Sequence, residues 1–489
     1  MKSFLITKEQ VQQFCEGSRD LNPLHTSINY ARKTPFAKPV VNGVLLFGMA
    51  LSTSELHATQ VLRKITLDFL SPAFTDTHYQ VLTDNLTEGR FQLRVLEGNK
   101  ILLKATLDFV NNILDTPAIS YDRAALKVLS EESARHLFPN DIATLSPVTT
   151  AYFPDLAYLK SFSEQTKLHP AHCLALFACG YWTGMHIPGR QALLLNVGCE
   201  FQPVTSHQVR AESTIQFESA VFDDRFGSIE QIIQFKNDSA VIATSHITAL
   251  LRPEPVTAIS VEKGFSYIES KELLGKSYLV IGGSRGLGAK TVLSLAHRGA
   301  AVFFTYLDSG DDALAVEKFI QDSKCSGCIQ AIKNDSSNAA DCSKLEAFFR
   351  SKNIKLDGVI FNASPSVFSL KLERETINRY IDFIEKHLRI VMQSYVSLID
   401  RCNEKALFLL ISTQALDTIP AEWPHYVAAK AALEATWLTL AKQAPKSRFS
   451  ILRPPALKTD QMNTNLARHT NLPAEQFANT IVEEVIKLI

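Results

Sequence analysis

The sequence predicts two kinds of fold in one chain: a pair of α+β units in tandem, then an α/β unit on a doubly wound parallel sheet. Three observations carry that expectation. An apolar helix-like stretch followed by strand-like pieces occurs twice before residue 252. Short, wholly apolar strands then alternate with helical patterns, as βαβ units covered on both faces require. A glycine-rich turn joins the first of those strands to the first of those helices. With 489 residues, the chain has room for about three domains at roughly 150 residues each.

In the first unit, the stretch Val44–Leu56 leads into VLRKITLDF (61–69) and Pro72. Phe91–Leu96, a turn at Gly98-Asn99 and Ile101–Val110 read as a hairpin. Leu103, Ala105, Leu107 and Phe109 alternate as one buried face. The second unit repeats the pattern. Cys173–Met185 leads into ALLLNVGCEF (192–201) and Pro203, then Ile229–Phe235, a turn at Asn237-Asp238 and Ala240–Leu251. Connections rich in Pro, Asn, Asp and Ser at 111–122 and 252–260 divide the chain into domains at 1–115, 116–255 and 270–489. In the third unit, Ser277–Ile281, Ala301–Tyr306, Leu356–Phe361 and Ala406–Ser412 read as buried strands and Gly286–Arg298 as a helix.

Composition narrows the function. With 50 Lys and Arg against 50 Asp and Glu there is no cationic excess to neutralise phosphates, so no nucleic-acid partner is expected. The 46% hydrophobic and 20% charged residues are those of an ordinary globular protein. Met1–Thr7 meets Lys8 and Glu9 too soon for a signal-peptide core. The longest apolar run, near Val40–Leu51, falls short of the ~20 residues that span a bilayer. No membrane partner and a cytoplasmic location are expected. The 8 cysteines, scattered over so long a chain, fit reduced thiols. Cys325-Ser-Gly-Cys328 has ligand-like spacing, but no second pair completes a zinc site, and no metal is expected.

The third unit carries the most specific chemistry. Gly282-Gly-Ser284-Arg285-Gly286-Leu287-Gly288 lies between strand and helix, where glycines let backbone approach a pyrophosphate at a helix N-terminus. Three features follow in order: Asn362-Ala363-Ser364 at a strand end, Tyr426-Val-Ala-Ala-Lys430 opening a helical pattern, and Pro454-Pro-Ala-Leu-Lys-Thr459. Over roughly 272–489 this set resembles the short-chain dehydrogenase/reductase family, with its Rossmann fold, and within it the β-ketoacyl thioester reductases. A phenol with a pKa near ~10 needs a nearby cation to trade protons at neutral pH. Lys430, one helical turn after Tyr426, is on the same face. The resemblance implies that Lys430 also holds the nicotinamide ribose and that a hydroxyl orients the substrate oxygen. Thr413 has the family's spacing for that hydroxyl, and Ser412 is the alternative. It further implies cofactor contacts from Gly282, Ser284, Arg285, Gly286, Leu287, Gly288, Asn362, Ala363, Tyr426, Lys430, Pro454 and Thr459, with Asp335 at the adenine.

The chain departs from the family at four places. Ile281 stands for the usual Thr, Ser364 and Pro455 for Gly, and His387 for an Asn that supports a proton-relay water. His387 either takes over that relay or is a helix-face residue without a role. An NAD site would place a carboxylate at the end of the second strand, near Thr305-Tyr306. Asp308 comes later, in the loop, and Arg285 offers a charge for a 2′-phosphate. The expected cofactor is NADPH.

The first unit opens with Ser18-Arg-Asp20-Leu-Asn22-Pro23-Leu-His25, followed by Tyr30-Ala31, Pro35-Phe36 and Pro39-Val-Val-Asn42-Gly43. Over 1–110 this resembles the MaoC-like (R)-hydratases and dehydratases, a hot-dog family, which makes the apolar stretch after Gly43 the fold's buried central helix. Dehydrating a 3-hydroxyacyl thioester removes a C2 proton and expels the C3 hydroxyl. His25 suits the base and Asp20 the group that handles the departing water. The Gly43 N–H suits the thioester oxygen, as an oxyanion hole does. Asn42 replaces the family's His. The second unit has no Asp-x-Asn-Pro-x-His before its helix, and His169 and His172 have no carboxylate at the matching offset. It is expected to be a non-catalytic hot-dog domain, the other half of a covalent pseudo-dimer. Phe177, Tyr181 and Trp182 read as core.

Together the resemblances imply a bifunctional 3-ketoacyl thioester reductase and (R)-3-hydroxyacyl thioester dehydratase of fatty-acid or polyketide biosynthesis. Its acyl thioester would be carried by acyl carrier protein or CoA, in a homodimer or tetramer. Two alternatives stand beside it. One is the reverse pair, a hydratase and NAD-linked dehydrogenase of β-oxidation. The other is a catalytically degenerate acyl-binding scaffold.

Overall fold

The computed structural model describes residues 2–54, 56, 61–110, 133–203, 213–237, 240–323, 325–374 and 376–489. The connection expected at 111–122, the boundary at 115/116 and Asp238 of the second hairpin turn lie outside the described residues. The chain separates into Met1–Glu254 with Thr464–Leu466, and Pro255–Asn463 with Ala467–Ile489.

The repeat in the sequence becomes a symmetry in the first unit. Its ten strands form one sheet, ordered Lys2–Leu5, His78–Thr87, Arg90–Glu97, Lys100–Val110, Val61–Phe69, Ala192–Phe201, Ala240–Leu251, Ser228–Asn237, Ser213–Asp223, Val148–Tyr152. Read outward from the middle, each half runs through the same elements: the strand after the central helix, the two strands of the hairpin, the strand that precedes the hairpin in sequence, and an edge strand. The halves join where Val61–Phe69 pairs antiparallel with Ala192–Phe201, with Ile65 opposite Cys199 and Leu67 opposite Val197. Leu103, Ala105 and Leu107 are fully buried as their alternation requires, while Phe109 is only partly so.

Each half carries a buried helix. The first, Gly43–Thr53, buries Val44, Leu45, Leu46 and Phe47, and Ser54 closes it ahead of Leu56. The second, Pro170–Tyr181, starts three residues ahead of the apolar run and continues into the wide turn Trp182–His186. The approach to these helices differs. Helices Lys8–Ser18 and Leu156–Thr166 both end on a left-handed residue, Arg19 (φ 62°) and Lys167 (φ 57°). Residues 19–42 then intervene in the first half, but only 167–169 in the second.

The second unit is a six-stranded parallel sheet, ordered Cys328–Lys333, Ala301–Tyr306, Ser277–Ile281, Leu356–Phe361, Cys402–Ile411, Arg448–Leu452. The first strand in sequence lies inside, and the chain winds outward from it to both sides. That order creates a crevice at the carboxyl ends where the winding reverses. The first helix, Gly286–His297, ends one residue before Arg298, its cap. Lys290 on that helix is buried and donates to the Ser260 carbonyl, and the Tyr267 ring stacks on His297 at 4.7 Å. Residues from 255 onward therefore pack as part of this unit, ahead of the expected start at 270. Among the described residues no helix is long and apolar enough to cross a membrane, and no cluster of His, Cys, Asp and Glu is placed to hold a metal.

Candidate active sites

The segment 19–42 builds a site. Arg19, in the left-handed region, turns the chain so that Asp20 points inward, where it is 4% exposed. Asn22 caps the single turn Pro23–Thr26, its Oδ1 accepting from Leu24 N–H at 3.0 Å. Proline suits the first position of that turn, because its missing N–H would have no partner there anyway. The turn brings His25 back over Asp20, with Nε2 standing 3.6 Å from Asp20 Oδ2. The other ring nitrogen, Nδ1, lies 2.7 Å from the Val40 carbonyl. A carbonyl only accepts, so Nδ1 carries a proton and Nε2 is the nitrogen turned to Asp20 and the cleft. Asn42 Nδ2 donates to Asp20 Oδ2 at 3.0 Å, while Cys15 Sγ donates to Asn42 Oδ1 at 3.5 Å. Asn42 is thus turned away from the helix it precedes, and the first N–H groups of Gly43–Thr53 have no side-chain cap.

Gly43 must be glycine, since a Cβ there would stand 2.6 Å from the Phe69 ring. These groups line a cleft with apolar walls that include Val40, Leu46 and Leu70, and Leu193 and Leu195 from the second half. Burial raises the Asp20 carboxyl above the usual range against the lowering pull of His25 and Asn42. The arrangement sets a carboxyl inclined to hold a proton beside an imidazole, two groups of the kind that trade protons in general acid–base catalysis.

Among the described residues the second half shows no matching acid–His pair ahead of its helix, for a geometric reason. Three residues, 167–169, leave no loop to carry an acid and a base. His169 caps its own helix, its Nδ1 accepting from Ala171 N–H at 3.2 Å. His172 fills the adjoining space, its ring 4.2 Å from that of Phe201 and tilted by 34°. Burial pushes His169 down to about 4 and His172 to about 3. Phe177, Tyr181 and Trp182 lie in the core.

In the second unit the four separated motifs converge. Gly282 (φ 80°) has Ala363 against it, where a Cβ would come within 2.8 Å of the Ala363 Cβ, and Asn362 Nδ2 donates to the Gly282 carbonyl at 2.9 Å. Gly288 faces the same carbonyl closely enough that a Cβ would overlap it. Gly286 approaches Thr459, and the Pro454 carbonyl accepts from Gln414 N–H at 3.0 Å. The helix after Arg285 has no side-chain cap, so its first N–H groups are left for a ligand, and Leu287 behind them is buried. Asp335 accepts from Ser337 N–H and Oγ at 2.9 and 2.7 Å, locking the loop after the third strand. Three further residues gather here. Thr305 Oγ accepts from Gly282 N–H at 3.0 Å, Ser309 Oγ lies 2.6 Å from Ser284 Oγ, and the Asp460 carboxylate stands 3.7 Å from the Arg285 guanidinium.

Tyr426 and Lys430 open the helix Pro424–Gln443. Thr413, not Ser412, meets the phenol. The Thr413 hydrogen bond pulls the Tyr426 pKa down against the larger upward push of burial. Ser412 faces toward Glu434. Lys430 is buried, its Nζ donating to the Ile411 carbonyl at 2.6 Å and lying 5.8 Å from the Tyr426 ring centre. Burial lowers its ammonium to about 8, with Glu434 opposing. His387 is no surface residue: it is fully buried, its ring tilted 19° from that of Tyr426 at 6.4 Å. Burial and the Lys430 charge keep it neutral. Because Lys430 loses its proton above about 8, a reaction that needs its charge should weaken as pH rises through that value. A rate–pH profile of ketone reduction that stays flat from 7 to about 9.5 would show that Lys430 acts otherwise.

Comparison with known proteins finds two domains in the chain. Residues 276–470 match the short chain dehydrogenase family and residues 1–103 the MaoC like domain. The chain is 29% identical over 196 residues to the cyclic-di-GMP-binding biofilm dispersal mediator protein of Escherichia coli (strain K12), covering 39% of this chain and 77% of that protein. Among solved structures, a short-chain dehydrogenase/reductase from Serratia marcescens is 25% identical at a TM-score of 0.40, covering 43% of this chain and 91% of that one. A short chain dehydrogenase from Burkholderia cenocepacia in complex with NADP is 24% identical at a TM-score of 0.40, covering 44% and 91%. The chain is a fusion of a MaoC-like hot-dog domain with a short-chain dehydrogenase/reductase domain.

Proposed function

We propose that the chain reduces a 3-ketoacyl thioester to the (R)-3-hydroxyacyl thioester and dehydrates that product to the trans-2-enoyl thioester. The observation that carries this reading is the presence of two sets of groups suited to consecutive steps. One is Thr413, Tyr426 and Lys430; the other is Asp20, His25 and Asn42 with the uncapped helix at Gly43. Tyr426 gives its proton to the developing alkoxide, Thr413 orients the carbonyl oxygen, and Lys430 stabilises the phenolate left behind. In the first unit His25 Nε2 takes the C2 proton, Asp20 protonates the leaving hydroxyl, and the Gly43 N–H polarises the thioester oxygen.

NADPH fits the second unit. The Gly282 and Gly288 positions leave backbone open where a Cβ would intrude, and an uncapped helix start suits a pyrophosphate. Bound there, it would supply the hydride. The paired hydroxyls of Ser284 and Ser309 lie just past the second strand, and Arg285, whose guanidinium stands 3.7 Å from the Asp460 carboxylate, is the cation this reading assigns to a 2′-phosphate. Arg285→Ala should raise KM for NADPH roughly tenfold or more, the loss of one charge-assisted contact, and leave KM for NADH nearly unchanged. Equal efficiency with both nicotinamides in the parent protein would overturn the preference.

The setting we propose is fatty-acid or polyketide synthesis, on thioesters of acyl carrier protein or CoA. Eight free thiols fit a reducing cytoplasm. Exposed Ile381 and Val396 on helix Ile377–Leu398 and Leu438 on Pro424–Gln443 suit contact with a second copy of the chain, as a dimer or tetramer. The test is incubation of purified protein with NADPH and a panel of 3-ketoacyl thioesters, products followed by mass. Accumulation of enoyl thioester supports the reading. Nicotinamide consumption on no member of the panel would refute it.

A further inference from the structure

The second half of the ten-stranded sheet shows no acid–His pair among the described residues, yet it touches the one in the first half. Its helix Pro170–Tyr181 widens into Trp182–His186, where Ile187 N–H donates to the Trp182 carbonyl, five residues back, at 2.9 Å. Such wide turns inside helices are uncommon and recur at functional sites. This one is locked in place. Trp182 Nε1 donates to Gln231 Oε1 at 2.9 Å, Gln231 Nε2 to the Ile187 carbonyl at 2.9 Å, and Thr183 Oγ to the Cys179 carbonyl at 2.8 Å.

Gly184 sits at the centre of the turn. Its carbonyl accepts from Asn22 Nδ2 at 2.7 Å, and a Cβ on it would overlap Asp20 Oδ1 and stand 3.1 Å from Asp20 Cγ. Gly180, one turn earlier, is different: a Cβ there would make ordinary contact, 3.7 Å from Asp20 Oδ2. The Gly184 wall stands directly against the buried Asp20 Oδ1, while Asn42 holds Oδ2.

We infer that Gly184 is the positioning residue for Asp20: the second half of the sheet holds the carboxyl in line with His25 and Asn42 through a gap that only glycine leaves. The inference rests on the dehydratase reading for its catalytic consequence, but not for its geometry. In Gly184→Ala the added methyl displaces the carboxyl. Misplacement by about 1 Å can cost on the order of 10²-fold, so kcat for hydration of an enoyl thioester should fall ~10–100-fold with KM little changed. The kcat–pH profile should move too, because the carboxyl leaves the environment that raises its pKa.

A melting-temperature cycle on the full chain tests the geometry without turnover. Gly184→Ala should lower the melting temperature of the parent and lower it far less in an Asp20→Ala background, where the methyl has room. An equal loss in both backgrounds would place the clash elsewhere and overturn the inference. So would an unchanged kcat and pH profile in a folded Gly184→Ala protein. If the parent hydrates no thioester at all, the dehydratase reading fails, while the cycle still decides whether Gly184 sets the position of Asp20.

Discussion

Tyr426→Phe should remove ketone reduction while leaving the fold intact. The phenol is half-buried, and the Thr413 hydroxyl beside it lowers its pKa against the larger upward push of burial. Loss of the oxygen removes one hydrogen bond, at about 1 kcal/mol in stability. Its effect on rate is much larger, because a positioned general acid contributes ~10²–10⁴-fold. Lys430 remains, anchored on the Ile411 carbonyl, so cofactor binding should survive. The check is single-turnover reduction beside nicotinamide fluorescence titration. A variant that reduces at near-parental rate would show that Tyr426 is not the acid. Lys430→Ala provides the complement, since it should lower both the rate and nicotinamide affinity.

Asp20→Asn should stall the chain at the (R)-3-hydroxyacyl thioester while NADPH is still consumed. The substitution keeps the shape, but it presents an amide to Asn42 Nδ2, which now donates to the Asp20 carboxylate at 3.0 Å. It also removes the carboxyl that faces His25 Nε2 at 3.6 Å. Dehydration should fall by at least the ~10²-fold of a lost acid–base group, with hydroxy product accumulating in the mass trace. Enoyl product at the parental rate would remove Asp20 from the chemistry. A parent that itself stops at the hydroxy product would place the block at Asn42, where the family carries His.

Much of both sites could be read along the chain because the spacing is local. A strand, a glycine turn and a helix put Gly282, Arg285 and Gly288 in one place with no long-range information. One helical turn from Asn22 to His25 does the same for the first unit. Helix ends were less legible: the apolar run to Leu56 overshoots because Ser54 caps the helix. Ser412 and Thr413 could not be separated by counting. Consecutive residues at a strand end face opposite sides, and only the neighbours show which side holds Tyr426. Asn22 and Gly184 are 162 residues apart, and their contact follows from the pairing of the two central strands. No local pattern signals Gly184, and Thr305, Ser309 and Asp460 likewise read as ordinary loop or strand residues.

The joined halves of the ten-stranded sheet have a consequence for how this chain can change. In a pair of identical chains every position is used twice, so any substitution must suit two surroundings at once. Here the segment 19–42 exists once and the wide turn Trp182–His186 exists once. A residue in the second half can be selected solely for what it does to the first, because no identical copy of it faces the other way. The half without an acid and a base is therefore free to specialise as a mould, and drift that would cost a symmetric dimer both of its sites costs this protein at most one.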